Sequence, residues 1–420
     1  MEDLAAYCRR LAERARSASG VLALLGTEQK NTWLLHSAEA IERRAAEVLA
    51  ANHLDLEAAA GRSLTAAQLD RLRLTPERLR AAAQGIRQVA ALADPVGRVI
   101  EGGLRPNGLR VMKVGVPLGV IFFIYESRPN VTVDAAALAI KSGNAILLRG
   151  GTEALNSNLL FVDILQDCLG QCDLPADAVL YIDRPQREAI DQLLQMPDLI
   201  DLVIPRGGES LIRRVAEQAR MPVLRHDKGV CHVYVDRGAD LEMAARILVN
   251  AKCQRPGVCN AAESLLAHAG VAGAFLPKAG ELLRQHQVEI RGCPRTRELI
   301  SDARSATDKD YATEYLDLVL SVKVVESLEE AIAHINRFGS HHTDAIVTND
   351  LRAAERFAAA VDSAAVLINA STRFNDGFEL GLGAEIGIST EKFHARGPCG
   401  LVELTGYKYV ISGAGQIRGE

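Results

Sequence analysis

Cys259 stands in the stretch Gln254-Arg255-Pro256-Gly257-Val258-Cys259-Asn260-Ala261. A thiolate attacks acyl carbon readily when it is accessible and its negative charge is stabilised. Pro256 lacks an N–H and Gly257 frees the backbone, so a preceding helix should stop there and Cys259 should fall on a turn. The residues from Asn260 to Leu266 read as the start of a helix whose dipole would favour a thiolate. Lys252 and Arg255 add positive charge. The alternative is a small apolar residue filling a core.

Three other loops carry chemistry suited to anions. Arg149-Gly150-Gly151-Thr152 and Pro205-Arg206-Gly207-Gly208-Glu209-Ser210 each set an Arg beside a Gly pair at the expected start of a helix. There, backbone N–H groups and a guanidinium can cradle phosphate. A Gly pair also marks an ordinary tight turn, and no G-x-G-x-x-G is present. Asn369-Ala370-Ser371-Thr372-Arg373-Phe374-Asn375 is rich in donors for an anionic substrate. Its alternative reading is a loop whose Ser and Asn side chains satisfy their own backbone.

The elements that must position these residues follow from periodicity. Residues 2 to about 95 are rich in Ala, Leu, Glu and Arg and read as helices. Start signals are the capping box Thr65-Ala66-Ala67-Gln68 and the cap Thr75 before Pro76. Residues 98–112 read as a hairpin turning at Arg105-Pro106-Asn107-Gly108. The C-terminal runs around Leu401–Ile411 could join it in a small sheet. From 118 to 236, apolar runs at 119–124, 145–148, 178–182, 202–204 and 230–235 alternate with helical stretches, the pattern of a parallel sheet with crossover helices. Ligands of such sheets bind beyond the strand C-termini. Residues 239 to about 395 form a second alternating segment carrying Cys259.

The 420 residues suggest two or three domains, and 48% apolar content with a net charge of −5 describes a globular chain with no basic field for nucleic acid. No run is long enough for a membrane span, and the acidic start Met1-Glu2-Asp3 is unlike a signal peptide. Eight scattered cysteines, without a C-x-x-C pair, point away from zinc and disulfides and towards a reducing, cytoplasmic compartment. His341, His342 and His394 lack the companions of a metal site.

Taken together, the motifs YESRPNVT (125–132), RGG (149–151), PRGG (205–208), GVCHVYVD (229–236), QRPGVCN (254–260), NASTRF (369–374) and HARGP (394–398) resemble those of the gamma-glutamyl phosphate reductase family, within the aldehyde dehydrogenase superfamily. The resemblance implies an α/β fold of aldehyde dehydrogenase type. It implies a Rossmann-like NADP(H)-binding domain over 1–96 and 117–228, a catalytic domain over 229–396, and an oligomerisation β-flap over 97–116 and 397–420. It also implies NADPH-dependent reduction of L-glutamyl 5-phosphate to L-glutamate 5-semialdehyde, the second step of proline biosynthesis, through a Cys259 thioester. The superfamily's water-activating glutamate falls at His226, which is grouped with the cofactor-binding residues. Its side-chain oxyanion donor, an Asn, falls at Glu126, so Asn130 from the same loop is the candidate donor. Arg149, Gly150, Gly151, Arg206, Gly207, Gly208, Glu209 and Glu314 are the further cofactor candidates, with Arg149 reaching the adenosine ribose and Glu314 the nicotinamide ribose. Arg128, Ser371, Thr372 and Arg373 are the substrate candidates. A homo-oligomer, dimer or tetramer, and contact with glutamate 5-kinase complete the implied picture.

The competing readings are a hydrolytic or CoA-acylating dehydrogenase on the same scaffold, a cysteine acyltransferase without nicotinamide, and an inactive scaffold. The absent glutamate counts against hydrolysis, and the paired Arg-Gly-Gly loops count against chemistry without a cofactor.

Overall fold

The structure is a computed structural model that describes residues 3–61, 64–126, 128–225 and 228–418. The N-terminal segment is helical, as its composition indicates: α1 (Leu4–Leu22), α2 (Thr27–Arg43), α3 (Ala45–Ala60), α4 (Ala66–Leu72) and α5 (Pro76–Ala91). Both start signals operate. Thr65 Oγ1 accepts from the Gln68 N–H at 3.2 Å while Gln68 Oε1 accepts from the Thr65 N–H at 2.8 Å. Thr75 Oγ1 caps α5 ahead of Pro76.

The chain divides into two compact units, one of Met1–Arg225, Leu382–Gly387 and Cys399–Glu420, the other of His226–Gly381 and Ile388–Pro398. In the first unit, β1 (Val99–Leu104) and β2 (Arg110–Pro117) form the expected antiparallel hairpin. The C-terminal strand Thr405–Ser412 pairs antiparallel with the other side of β2. A separate parallel sheet runs in the order β5-β4-β3-β6, made of β3 (Val120–Tyr125), β4 (Ala145–Arg149), β5 (Val179–Tyr181) and β6 (Leu202–Arg206). Between these strands lie α6 (Asn130–Lys141), α7 (Leu155–Gln171) and α8 (Glu188–Leu193), and α9 (Glu209–Gln218) follows β6. Every residue of β3 is buried. Phe122 and Phe123 alone contribute about 1.5–3 kcal/mol each by leaving water. The chain steps from β3 to β4 to β5 and then back to the far side of β3, so the switch point of this sheet lies beyond Tyr125 and Arg206, where α/β sheets receive ligands.

The second unit holds a parallel sheet in the order β10-β9-β11-β8-β7-β12-β13. Its strands are β7 (Cys231–Val235), β8 (Ala262–His268), β9 (Glu289–Gly292), β10 (Arg304–Ser305), β11 (Val319–Val325), β12 (Thr343–Val347) and β13 (Ala365–Ile368), with α10 (Leu241–Cys253) leading from β7 towards β8. The run 230–235, grouped by sequence with the first alternating segment, therefore belongs to the second sheet.

A second correction concerns the residues after Cys259, which form β8 and no helix. That strand is central: β7 pairs with one edge and β11 with the other. Its two faces enter different cores, Leu265 with Val233 and Leu276, and Leu266 with Tyr234 and Phe357. A short apolar run fits a strand buried on both sides as well as a helix, and here the sheet decides. No helix dipole therefore acts on the thiol from that side. Among the described residues no helix is long and apolar enough to cross a membrane.

Candidate active site

The cysteine turn is built as Pro256 and Gly257 require. α10 ends at Cys253, and the Val258 carbonyl accepts from the Ala261 N–H at 3.0 Å, leaving the half-buried Cys259 in the middle of a tight turn. Backbone contacts hold that turn from below. The Cys231 thiol donates to the Cys259 carbonyl oxygen at 3.1 Å. Burial, reinforced by the charge of Asp344, pushes the Cys231 thiol well up, so it keeps its proton and remains a donor. A Cβ added to Gly229 would stand 1.9 Å from the same oxygen, so only glycine lets the two segments approach this closely. The Gly229 N–H donates to Glu314 Oε1 at 2.9 Å.

Lys252 does not lend its charge to the turn as expected. It is fully buried and gives its ammonium to Glu263 Oε2 at 2.6 Å. Cationic character near Cys259 comes instead from Arg373, whose guanidinium interacts electrostatically with Cys259 and is pulled down by burial and by Arg255.

The loop after β13 is laced to the cysteine turn. Asn260 Nδ2 donates to the Asn375 carbonyl at 3.0 Å, its Oδ1 accepts from the Arg373 guanidinium, and Arg373 Nε donates to Gln254 Oε1 at 2.9 Å. Within the loop, the self-satisfying reading holds for some residues. Asn369, at a left-handed φ of 55°, exchanges two hydrogen bonds with the Thr348 backbone, and Ser371 Oγ accepts from the Arg373 N–H at 3.3 Å. Thr372 Oγ1 and Asn375 Oδ1 are buried with no hydrogen-bond partner among the described residues, so this pair carries uncommitted polarity. An orphaned buried polar atom in a loop bonded to the Cys259 turn calls for a partner from outside the chain.

In the first unit, a cleft of about 530 Å³ is lined by Arg149, Gly150, Gly151, Thr152, Arg187 and Arg214, among others. That is within the ordinary range for a cofactor site. Gly150 has no room for a side chain, since an added Cβ would lie 2.2 Å from Asn158 Nδ2. Arg149 donates to the Gly150 carbonyl at 2.8 Å and to the Pro185 carbonyl at 3.2 Å, while its Nε is buried without a partner among the described residues. These features fit the phosphate-bearing half of a dinucleotide.

The helix N-termini behave differently from the expectation. The Asn156 and Ser157 N–H groups at the start of α7 donate to the Asp55 carboxylate at 3.0 and 2.9 Å. Ahead of α9, the Gly208 N–H donates to Glu126 Oε2 at 3.1 Å, and a Cβ on Gly207 would meet Glu126 Cδ at 2.6 Å. Protein carboxylates therefore already sit at both dipoles, and guanidiniums are left as the groups for an anion. Arg206 ends β6, and Glu209 opens α9 paired with Arg213 at 2.6 Å. Asn130 opens α6 and gives its amide to Asp134 at 3.2 Å. Arg128 is exposed. His226 lies outside the described residues.

The aldehyde dehydrogenase family model matches residues 3–297. Over 418 residues the chain is 53% identical to the gamma-glutamyl phosphate reductase of Rhodopirellula baltica, covering 100% of this chain and 96% of that one. Over 409 residues it is 54% identical to the same enzyme of Carboxydothermus hydrogenoformans, covering 97% and 99%. This chain belongs to the gamma-glutamyl phosphate reductase family. The crystal structure of the Thermotoga maritima family member superposes on it with a TM-score of 0.97 at 46% identity, over 98% of this chain and 100% of that one. The chain is thus an oxidoreductase with the aldehyde dehydrogenase fold.

Sequence reasoning missed some features of this family member. Glu263 is a charged residue inside the apolar run 261–267, and that mismatch was the available signal for a buried ion pair. Gly229 was legible only as part of a motif, because a close backbone approach leaves no trace in a single sequence. Arg187 and Arg214, which line the cleft, stand outside every Gly-rich loop.

Proposed function

We propose that this chain reduces L-glutamyl 5-phosphate to L-glutamate 5-semialdehyde with NADPH, releasing phosphate, through a thioester on Cys259. The observation that carries this reading is the half-buried Cys259 turn, tied by Asn260 to a loop with an arginine and two uncommitted buried polar atoms.

The Cys259 sulfur attacks the acyl carbon, the carbon–oxygen bond to phosphate breaks, and phosphate leaves with the thiol proton. The loop residues Thr372 and Arg373 hold the anionic ends of the substrate. Arg149, Gly150 and Gly151 hold the phosphate-bearing part of the cofactor, with Arg187 lining the same cleft. Glu314, held by the Gly229 N–H, is the carboxylate for the nicotinamide ribose. When bound, the nicotinamide supplies a hydride to the thioester carbonyl carbon. The carbon–sulfur bond then breaks, the aldehyde leaves, and one proton from solvent restores the thiol. Charge on the carbonyl oxygen during both additions needs donors already in place, for which the Cys259 backbone N–H and Asn130 are the candidates.

The reverse direction tests this. NADP⁺ reduction driven by glutamate semialdehyde should depend on added phosphate, falling at least about tenfold without it, because phosphate and not water resolves the thioester. Turnover indifferent to phosphate would instead favour a hydrolytic dehydrogenase.

Assembly belongs to the same proposal. β1 is an edge strand whose residues are all exposed, including Val99, Ile100 and Leu104, the last 75% exposed. An apolar open edge invites pairing with another copy. Ile100→Glu with Leu104→Glu should lower the mass in sedimentation without changing the helical signal. An unaltered mass would move the interface elsewhere.

A further inference from the structure

The Lys252–Glu263 pair plays no part in the chemistry above, yet its place is unusual. Lys252 lies in the last turn of α10 and Glu263 at the start of β8, so the two residues flank the whole turn that presents Cys259. Both are essentially unexposed. Burying two charges costs more than packing two apolar side chains of the same size, and such pairs are often replaceable without loss of stability. Burial pushes the Glu263 carboxyl up to about 7 even against the pull of Lys252. The pair is therefore a poor device for stability alone.

The second oxygen of Glu263 shows what else it does. Glu263 Oε1 accepts from the Leu316 N–H at 3.1 Å. Leu316 has a left-handed φ of 53° and a side chain about half exposed, so its own packing does not hold that conformation. A non-glycine residue persists there only when its surroundings fix it. Two residues earlier, Glu314 is bonded to Gly229, and Gly229 lies against the Cys259 carbonyl. The path Lys252, Glu263, Leu316, Glu314, Gly229, Cys259 is thus continuous.

We propose that the Lys252–Glu263 pair is a positioning device that fixes two loops at once, the turn presenting Cys259 and the loop carrying Glu314. The proposal rests on the roles assigned above to Cys259 and Glu314. Its substance is that the ion pair sets geometry through backbone contacts and touches neither substrate nor cofactor.

The deciding variant is Lys252→Met with Glu263→Leu, which fills the space with apolar atoms and removes the acceptor for Leu316. Three readouts are taken on the full chain: melting temperature, NADPH affinity by fluorescence, and the rate of Cys259 alkylation by iodoacetamide without cofactor. The expected result is a melting temperature close to the parent's, with affinity reduced about tenfold or more and alkylation changed by a similar factor, since small displacements of reacting groups have large effects. A parental melting temperature together with parental affinity and alkylation would overturn the proposal and leave the pair purely structural. Should the double variant not fold, Glu263→Gln takes its place. It keeps the shape and a neutral acceptor, and it is expected to shift the alkylation rate by about threefold or more, with a lower melting temperature because the buried Lys252 ammonium loses its counter-charge. Parental alkylation in that variant would also overturn the proposal. Alkylation needs no cofactor, so a parent that fails to bind NADPH would refute the functional reading without touching this one.

Discussion

Cys259→Ser should lower NADP⁺ reduction by at least about 10⁴-fold while leaving the fold intact, because removing a covalent nucleophile abolishes the whole route. Serine is close to isosteric, and the bonds that shape the turn run through backbone atoms: the Val258 carbonyl to Ala261 and the Cys259 carbonyl to Cys231. Stability should therefore hold. Activity should not, since a serine hydroxyl needs a base to match a thiolate, and the cationic Arg373 and the amide of Asn260 beside this turn are not bases. Cys231 cannot substitute, being buried and held in its protonated form. Mass spectrometry gives the companion result: the parent, given acyl phosphate without cofactor, should gain the mass of a glutamyl group and the variant should not. Turnover above about one per cent of the parent would place the nucleophile elsewhere.

Gly229→Ala should also damage catalysis, by about 100-fold in kcat/KM, although the residue carries no functional group. Its Cβ would lie 1.9 Å from the Cys259 oxygen, 2.6 Å from its carbonyl carbon and 2.7 Å from its Cα, so the obstacle is backbone rather than a side chain that can swing away. One of the two segments must shift. The shift displaces the thiol and disturbs the Gly229 N–H bond to Glu314. Overpacking of this kind costs about 1–3 kcal/mol, so the melting temperature should fall by a few degrees while the protein stays folded. Parental kinetics in a protein with an unchanged melting point would mean that the turn yields freely and that its placement is not set by this contact.

How much of this was legible depended on what each feature leaves in a sequence. The turn at Cys259 was readable because Pro256 and Gly257 act locally. The hairpin was readable because Pro106, Asn107 and Gly108 punctuate it, and the crossover pattern because four short aliphatic runs alternate with helical ones. The identity of β8 was not, since a short buried run has no period that separates helix from strand, and only its neighbours β7 and β11 settle it. Charge placement failed for a related reason. Lys252 looks like a free cation until Glu263 is found beside it, and the helix starts that follow the Gly pairs look like empty anion seats until Asp55 is found on the Asn156 and Ser157 N–H groups and Glu126 on that of Gly208. Asp55 and Glu126 both reach their partners from distant segments, and a single sequence gives no distance between segments.

The first unit is sewn together from both ends of the chain, and this bears on how the protein is made. Thr405–Ser412 is the last of the described strands to leave the ribosome, yet its partner β2 is finished early, before any strand of the second unit exists. Until then one side of β2 is an open edge, and the fully buried amide of Asn144 lacks the Leu404 carbonyl to which it donates at 2.9 Å. Nascent chains with unpaired edges are prone to stick to one another. The first unit must therefore wait, incomplete and with one side of β2 unpaired, through synthesis of the second, an order set by topology alone.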